Sequence, residues 1–339
     1  CFFCFFINIY SIAVFRSCLH ETTTVVHYLV MNHYELVARI DDALDRPRSY
    51  IDFLRSKPPV TFENPGEVFE HYADREPSPI AQVGQKIGAV VLRPNIVFMP
   101  GAEQEINENF GENLAPAYVS SHVSNTDPFL VASVIGMTDA LTEMREGTII
   151  PSKIGLFQAS ANIAKIGNKI LKKITPDGYR FPEKITAVDR VIGAIQRHLL
   201  EGMGARPIYR EQDIAGYDTG VLDKEEEKLF PVAERKGGRF YLSQTKKRVK
   251  LAIFPEGERN QIDPDTVQEF KAGIGAMATK DYFVIPSAIR YREGSITRAT
   301  VVIGNPIKRK EHGKNREGFV HNLQTATQDC LDHAIEISQ

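Results

Sequence analysis

The sequence predicts an α/β fold, a largely parallel sheet covered by helices, with a small N-terminal helical appendage. Three observations point there. Beyond Pro94, short apolar runs alternate with longer helical stretches, the texture of a sheet buried on both faces. Before Pro94, apolar residues recur at helical spacing instead. The residues with chemical potential stand beside the ends of apolar runs, where open α/β sheets place their sites.

In chain order, the 339 residues divide into three parts. Residues 1–30 open with Cys1 to Phe15, almost wholly apolar, followed by Arg16. At 1.5 Å per residue this run reaches roughly 22 Å, short of the ~30 Å hydrocarbon core of a bilayer. It also lacks the leading positive charge of a signal peptide. Because the first methionine is Met31, we read 1–30 as sequence upstream of the native start, with a short membrane anchor as the competing reading.

Residues 31–93 read as helical. Leu36, Val37, Ile40 and Leu44 keep helix spacing until Pro47, and Ile51 and Leu54 open a short segment ended by Pro58-Pro59. Ile80, Val83, Ile87, Val91 and Leu92 form a third run that stops before Pro94. Residues 94–339 form the α/β domain. Its strand candidates are Ile96–Met99, Ala117–Val119, Thr148–Ile150, Pro207–Tyr209, Val249–Phe254, Phe283–Pro286 and Thr300–Ile303. Within 211–247, the charge run Asp223 to Lys228 and the pair Gly237-Gly238 predict a solvated helix and a turn. His312 and His321 fall in what reads as a polar C-terminal tail.

Composition narrows the function classes. A 42% hydrophobic and 25% charged chain suits a globular domain, and a net charge of −2 gives no global field for nucleic acid, which is not expected as a partner. Beyond Cys1, Cys4 and Cys18 the only cysteine is Cys330, so the body forms no internal disulfide, which suits a reducing cytoplasm. No His/Cys/acid cluster has zinc spacing, and there is neither a Walker A loop nor a GxSxG elbow. Gly273 to Ala278 fits GxGxxA, yet it follows Gln268-Glu269-Phe270-Lys271 instead of a buried strand.

Four segments in fixed order carry the chemistry: Ser121 to Asp127, Arg206 to Arg210, Phe254 to Arg259, and Val284-Ile285-Pro286. The first supplies His122, a base poised near neutral pH, and Asp127 to orient it. Arg210 follows one strand candidate, and Arg259 follows another, where a guanidinium can hold phosphate with two parallel bonds. Gly257 can take positive φ and let a ligand approach the backbone. Together these residues fit acyl transfer to the hydroxyl of a phosphorylated acceptor.

On these segments the chain resembles the PlsC-type glycerolipid acyltransferases, the superfamily of lysophosphatidic acid and glycerol-3-phosphate acyltransferases. His122 and Asp127 match its HxxxxD block, Arg210 its Arg-ended block, Phe254 to Gly257 with Arg259 its FPEGTRS block, and Val284 to Pro286 its V-I-P block. Phe270 to Gly273 and Ile303 to Pro306 resemble two further stretches, so the likeness runs from about Ile96 to Ile307. Ser121, Glu258 and Asn260 depart from the usual residues, and the intervals between blocks are longer than in compact members.

The resemblance implies direct transfer without an acyl-enzyme. His122 and Asp127 would be catalytic, Arg259, Arg210 and Lys153 would bind substrate phosphate, and Glu256, Gly257 and Pro286 would shape the site. No cofactor or metal is expected beyond an acyl-CoA or acyl carrier protein donor. The expected acceptor is 1-acylglycerol-3-phosphate, giving phosphatidic acid for phospholipid synthesis, with glycerol-3-phosphate as the alternative. A non-catalytic lipid-binding protein is the alternative from another class. The expected location is the cytoplasm, peripheral at the inner face of the cytoplasmic membrane. Residues 161–174 offer a contact with that surface: Ile163, Ile166, Ile170, Leu171 and Ile174 share one helical face, and Lys165, Lys169, Lys172 and Lys173 another.

Overall fold

The computed structural model describes residues 60–73, 92–124, 127–154, 157, 197, 200–201, 204–215, 222–260, 262–292 and 298–338. All belong to one unit, Lys57–Gln339. The readings of residues 1–30, of the helical runs before Val60 and at 80–91, and of the lysine-rich helix at 161–174 lie outside the described residues.

Seven strands form where the apolar runs lie, and an eighth is added. They are β1 (Asn95–Phe98), β2 (Ala115–Ser120), β3 (Ile150–Lys153), β4 (Ala205–Ile208), β5 (Leu251–Ile253), β6 (Tyr282–Tyr291), β7 (Ala299–Ile303) and β8 (Ile307–Lys308). The main sheet has the order β1-β7-β6-β2-β5, with β8 also pairing β6. β2 lies parallel to β5 and β6, and β1 lies parallel to β7, whereas β6 pairs antiparallel with β7 and β8. β3 and β4 form a separate parallel pair, joined to β5 by a parallel bridge between Ile149 and Leu251. Thus β4, β3, β5, β2 and β6 all run the same way, and their carboxyl ends share one edge.

Both faces of the sheet are covered, as the unbroken apolar runs require. Alternation splits the strands between two cores. Ala115, Ala117 and Val119 of β2, with Tyr282, Val284 and Ala288 of β6, join one cluster. Tyr118 of β2, with Phe283, Ile285 and Ile289 of β6, joins the other. The first face is covered by α1 (Pro65–Ala73), α4 (Lys224–Lys246) and α6 (Arg316–Ser338). The second is covered by α2 (Ala102–Gly111) and α3 (Asp127–Met137). The short α5 (Gly273–Met277) lies between β5 and β6 in sequence and does not follow a strand directly.

Three local findings differ from the sequence reading. The pair Gly237-Gly238 forms no turn; α4 continues through it, capped by Asp223, whose side chain accepts from the amides of Glu225 and Glu226. Gly237 instead makes room for Phe69, since a Cβ there would lie 3.2 Å from the Phe69 ring. The region is not wholly solvated either, because Ala233, Phe240 and Tyr241 are buried. The polar tail is the long helix α6, which buries Phe319, Leu323, Thr327, Cys330, Leu331 and Ala334. His321 does face solvent, but His312 packs on Phe319 with ring centroids 5.4 Å apart. Finally, Val68, Phe69 and Tyr72 of α1 belong to the main core, with Phe69 stacked on Phe240 at 4.8 Å.

Candidate active site

Every residue singled out for chemistry except Pro286 stands just beyond, or at the end of, a strand on the shared carboxyl edge. β2 ends at Ser120 and delivers His122. β5 ends at Ile253 and delivers Glu256, Gly257 and Arg259. β3 ends on Lys153, and Arg210 follows β4 by two residues. A parallel sheet gathers these side chains because its strands all finish on one side.

His122 and Asp127 meet as the five-residue spacing predicts. The ring Nδ1 lies 2.9 Å from Asp127 Oδ2, and the same oxygen accepts the amides of Val123 and Ser124, each at 2.7 Å. Asp127 opens α3 and is fully buried, while the His122 side chain is 18% exposed. Since a carboxylate only accepts, the Nδ1 proton belongs in this bond, so in the neutral imidazole Nε2 carries the lone pair. The imidazole also rests on Phe254, with centroids 4.6 Å apart and the planes inclined by 31°.

Two further bonds fix the loop. The His122 amide donates to Glu256 Oε1 at 3.1 Å, and its carbonyl accepts the Asn260 amide at 2.7 Å. The segments after β2 and β5 are therefore stitched together through their backbones. Burial pushes the Glu256 carboxyl up to about 8; the Asp127 charge adds to this, and the amides of His122 and Gln268 oppose it. Near neutral pH this side chain is largely protonated. Gly257 has φ of +76°, in the left-handed region, which lets the turn reverse and present its carbonyl.

That carbonyl accepts Arg210 Nη1 at 2.8 Å. The rest of the Arg210 fork is occupied by Asp213, with Nε to Oδ2 at 3.1 Å and Nη2 to Oδ1 at 2.9 Å. Arg210 therefore braces the turn, with one hydrogen on each terminal nitrogen left to offer. Arg259 differs. It is half-buried and makes no ion pair or side-chain hydrogen bond among the described residues. Burial holds the Lys153 ammonium below its ordinary value, and the Arg259 and Arg210 charges add to that, while Asp213 opposes it. Three cations thus share one neighbourhood, with Asp213 the carboxylate acting against them. Glu258 points to solvent.

Pro286 occupies another kind of place. It lies inside β6 opposite Val119, and its carbonyl accepts the Gly304 amide at 2.8 Å. Carbonyl and nitrogen of one strand residue face the same neighbour, so its missing N–H falls where the chain leaves β7 for β8. That break in the ladder is where a proline costs least. Pro286 shapes the sheet and does not line the cluster.

Sequence reasoning missed Tyr291. Its hydroxyl donates to Asp127 Oδ1 at 2.6 Å from 164 residues away. The available signal was alternation: Phe283, Ile285 and Ile289 point toward α3, and Tyr291 ends that series with a polar tip that needs a partner. Ser121 also contributes, accepting the Ile289 amide at 3.0 Å on its side chain. Asn260, buried, gathers its loop by donating to the carbonyls of Asp263 and Thr266.

Comparison with known proteins adds a distant likeness. The chain is similar to the solved structure of the 1-acyl-sn-glycerophosphate (LPA) acyltransferase PlsC from Thermotoga maritima. The TM-score is 0.40 and the identity 13%, over 84% of this chain and 88% of that one. No family model matches, and no curated protein matches. A likeness this distant carries no assignment, so the reading rests on the residues and their geometry.

Proposed function

We propose that the protein is an O-acyltransferase. It moves a fatty acyl group from acyl-CoA or acyl carrier protein to the free hydroxyl of 1-acylglycerol-3-phosphate, forming phosphatidic acid. The observation that carries this reading is the presence, on one sheet edge, of a carboxylate-held imidazole and a cluster of three cations. The order of the four sequence segments supports it.

The steps follow from these groups. Cations at Arg259 and Lys153, with Arg210 behind them, receive the acceptor phosphate and bring its glycerol hydroxyl toward His122. Nε2 takes the hydroxyl proton as the oxygen attacks the thioester carbonyl carbon. Asp127 holds the imidazole in orientation and balances the charge that forms on it. The C–S bond then breaks, and the imidazolium returns its proton to the departing thiolate. One O–C bond forms, one C–S bond is lost, and one proton passes from oxygen to sulfur. Cytoplasmic work at a membrane surface is part of the proposal, because the acceptor is a lipid.

Thiol release from acyl-CoA by the full chain tests it, measured with 1-acylglycerol-3-phosphate and with glycerol-3-phosphate. The proposal expects release that depends on the lysophospholipid and vanishes in His122→Ala. Faster release with glycerol-3-phosphate would replace the acceptor. Release that survives in His122→Ala would remove the mechanism.

A further inference from the structure

Helix α4 is 23 residues long, about 34 Å at 1.5 Å per residue. One side of it is core: Ala233, Gly237, Phe240, Tyr241 and Gln244 are buried. At 100° per residue, the opposite side gathers five cations within roughly 80° of arc. They are Lys224, Lys228, Arg235, Arg239 and Lys246, and all are exposed. None makes an ion pair or side-chain hydrogen bond among the described residues. Val232 and Leu242 stand in the same stripe, 39% and 45% exposed. The helix's acids, Glu225, Glu226, Glu227 and Glu234, all fall outside that arc.

An ordinary solvated helix mixes signs and gains from pairs four residues apart. This face does the reverse. A chain of net charge −2 has acids to spare, yet it places none among these cations. An anionic partner would relieve the like-charge repulsion along the stripe. That partner also has to accept two branched apolar side chains in the middle of the contact.

We infer that the outer face of α4 docks the protein on an anionic lipid bilayer. Headgroup phosphates meet the five cations, and Val232 and Leu242 enter the acyl boundary beneath them. Nucleic acid fits less well, because its charges cover no apolar layer for these two side chains. A stripe about 34 Å long suits a plane. Among the described residues no helix is long and apolar enough to cross a membrane. The biological sense of the docking rests on the proposed lipid acceptor.

Flotation of the full chain with vesicles tests the inference without requiring turnover. The vesicles are phosphatidylglycerol mixed with phosphatidylcholine, against phosphatidylcholine alone. The wild type should float with the anionic vesicles, less so in high salt. Each cation at such a surface raises binding by about fivefold, so Arg235→Glu with Arg239→Glu should lower partition by at least about 25-fold. Lys228→Glu with Lys246→Glu is the second charge variant should the first fold poorly. Val232→Ser with Leu242→Ser should weaken flotation with the charge unchanged. Failure of the wild type to float, or equal flotation of the charge variants, overturns the inference. Sensitivity to charge but none to the serine pair would assign the stripe to another polyanion, and overturns it too. An inactive protein that floats would retire the acyltransferase reading alone, and an active protein that does not float would retire the docking alone.

Discussion

The two corners of the site are built on opposite principles. Around Asp127 the polar atoms are paired: four donors, from His122, Val123, Ser124 and Tyr291, converge on one buried carboxylate. Around Lys153 they are not. Arg210 is braced by Asp213 and Gly257, while Arg259 and Lys153 push against each other. The first corner is finished and rigid, which suits a base whose direction has to be fixed before substrate arrives. The second is unfinished, and under the proposed function the acceptor phosphate would complete it. Under the proposed function, the difference separates the group that would act on the acceptor from the groups that would hold it.

Mutations on either side should therefore fail differently. The largest effect is expected from His122→Ala, a loss of about 10³-fold in kcat. Asp127→Asn should follow at about 10²-fold, because an amide offers hydrogens where two backbone amides now donate. Steady-state kinetics with circular dichroism as a folding control checks both. A predominant change in KM would break the contrast between the corners.

Arg259→Lys keeps the charge and loses the planar fork. The acceptor KM should rise about tenfold with kcat and donor KM nearly unchanged. An unaltered acceptor KM would move the phosphate elsewhere. Tyr291→Phe removes one donor from the finished corner, so kcat should fall about fivefold while acceptor KM stays put. A KM effect from that variant would tie Tyr291 to binding instead of orientation.

The smallest effect concerns stability. The Glu256 carboxyl titrates near 4.5 in a free chain and near 8 in the folded protein. Between these values the folded state holds the extra proton, so stability falls as pH rises, with the loss complete above about 8. Glu256→Gln should therefore melt roughly 5 °C higher than wild type at pH 9 and equally at pH 4. Parallel melting curves across that range would show that Glu256 is not strained by its burial.

Much of this was legible in the sequence. The seven main strands announce themselves as short apolar runs, and the spacing of His122 and Asp127 already allows their bond. The two residues of β8 are too few to make a pattern. Gly237 looked like punctuation because its real partner, the Phe69 ring, is 168 positions away. Helix α6 was hidden by polar residues, although Phe319, Leu323, Thr327, Leu331 and Ala334 keep helical spacing through it. Tyr291 could not be assigned to Asp127 without knowing that β6 lies beside β2 and that α3 covers both. Whether Arg210 is braced or free was also beyond reach, since Asp213 and the Gly257 carbonyl come together only in the fold.

Under the proposed function one corner acts and the other holds a phosphate. The most direct test is a competition between two acceptors that differ only in that group, 1-acylglycerol-3-phosphate and the corresponding 1-acylglycerol. Acyl transfer to each is followed in wild type and in Arg259→Met. Wild type should strongly prefer the phosphorylated acceptor, and the variant should lose most of the preference while its slow transfer to the neutral one is unchanged. Equal use of both acceptors by wild type, or a preference untouched in the variant, would contradict it.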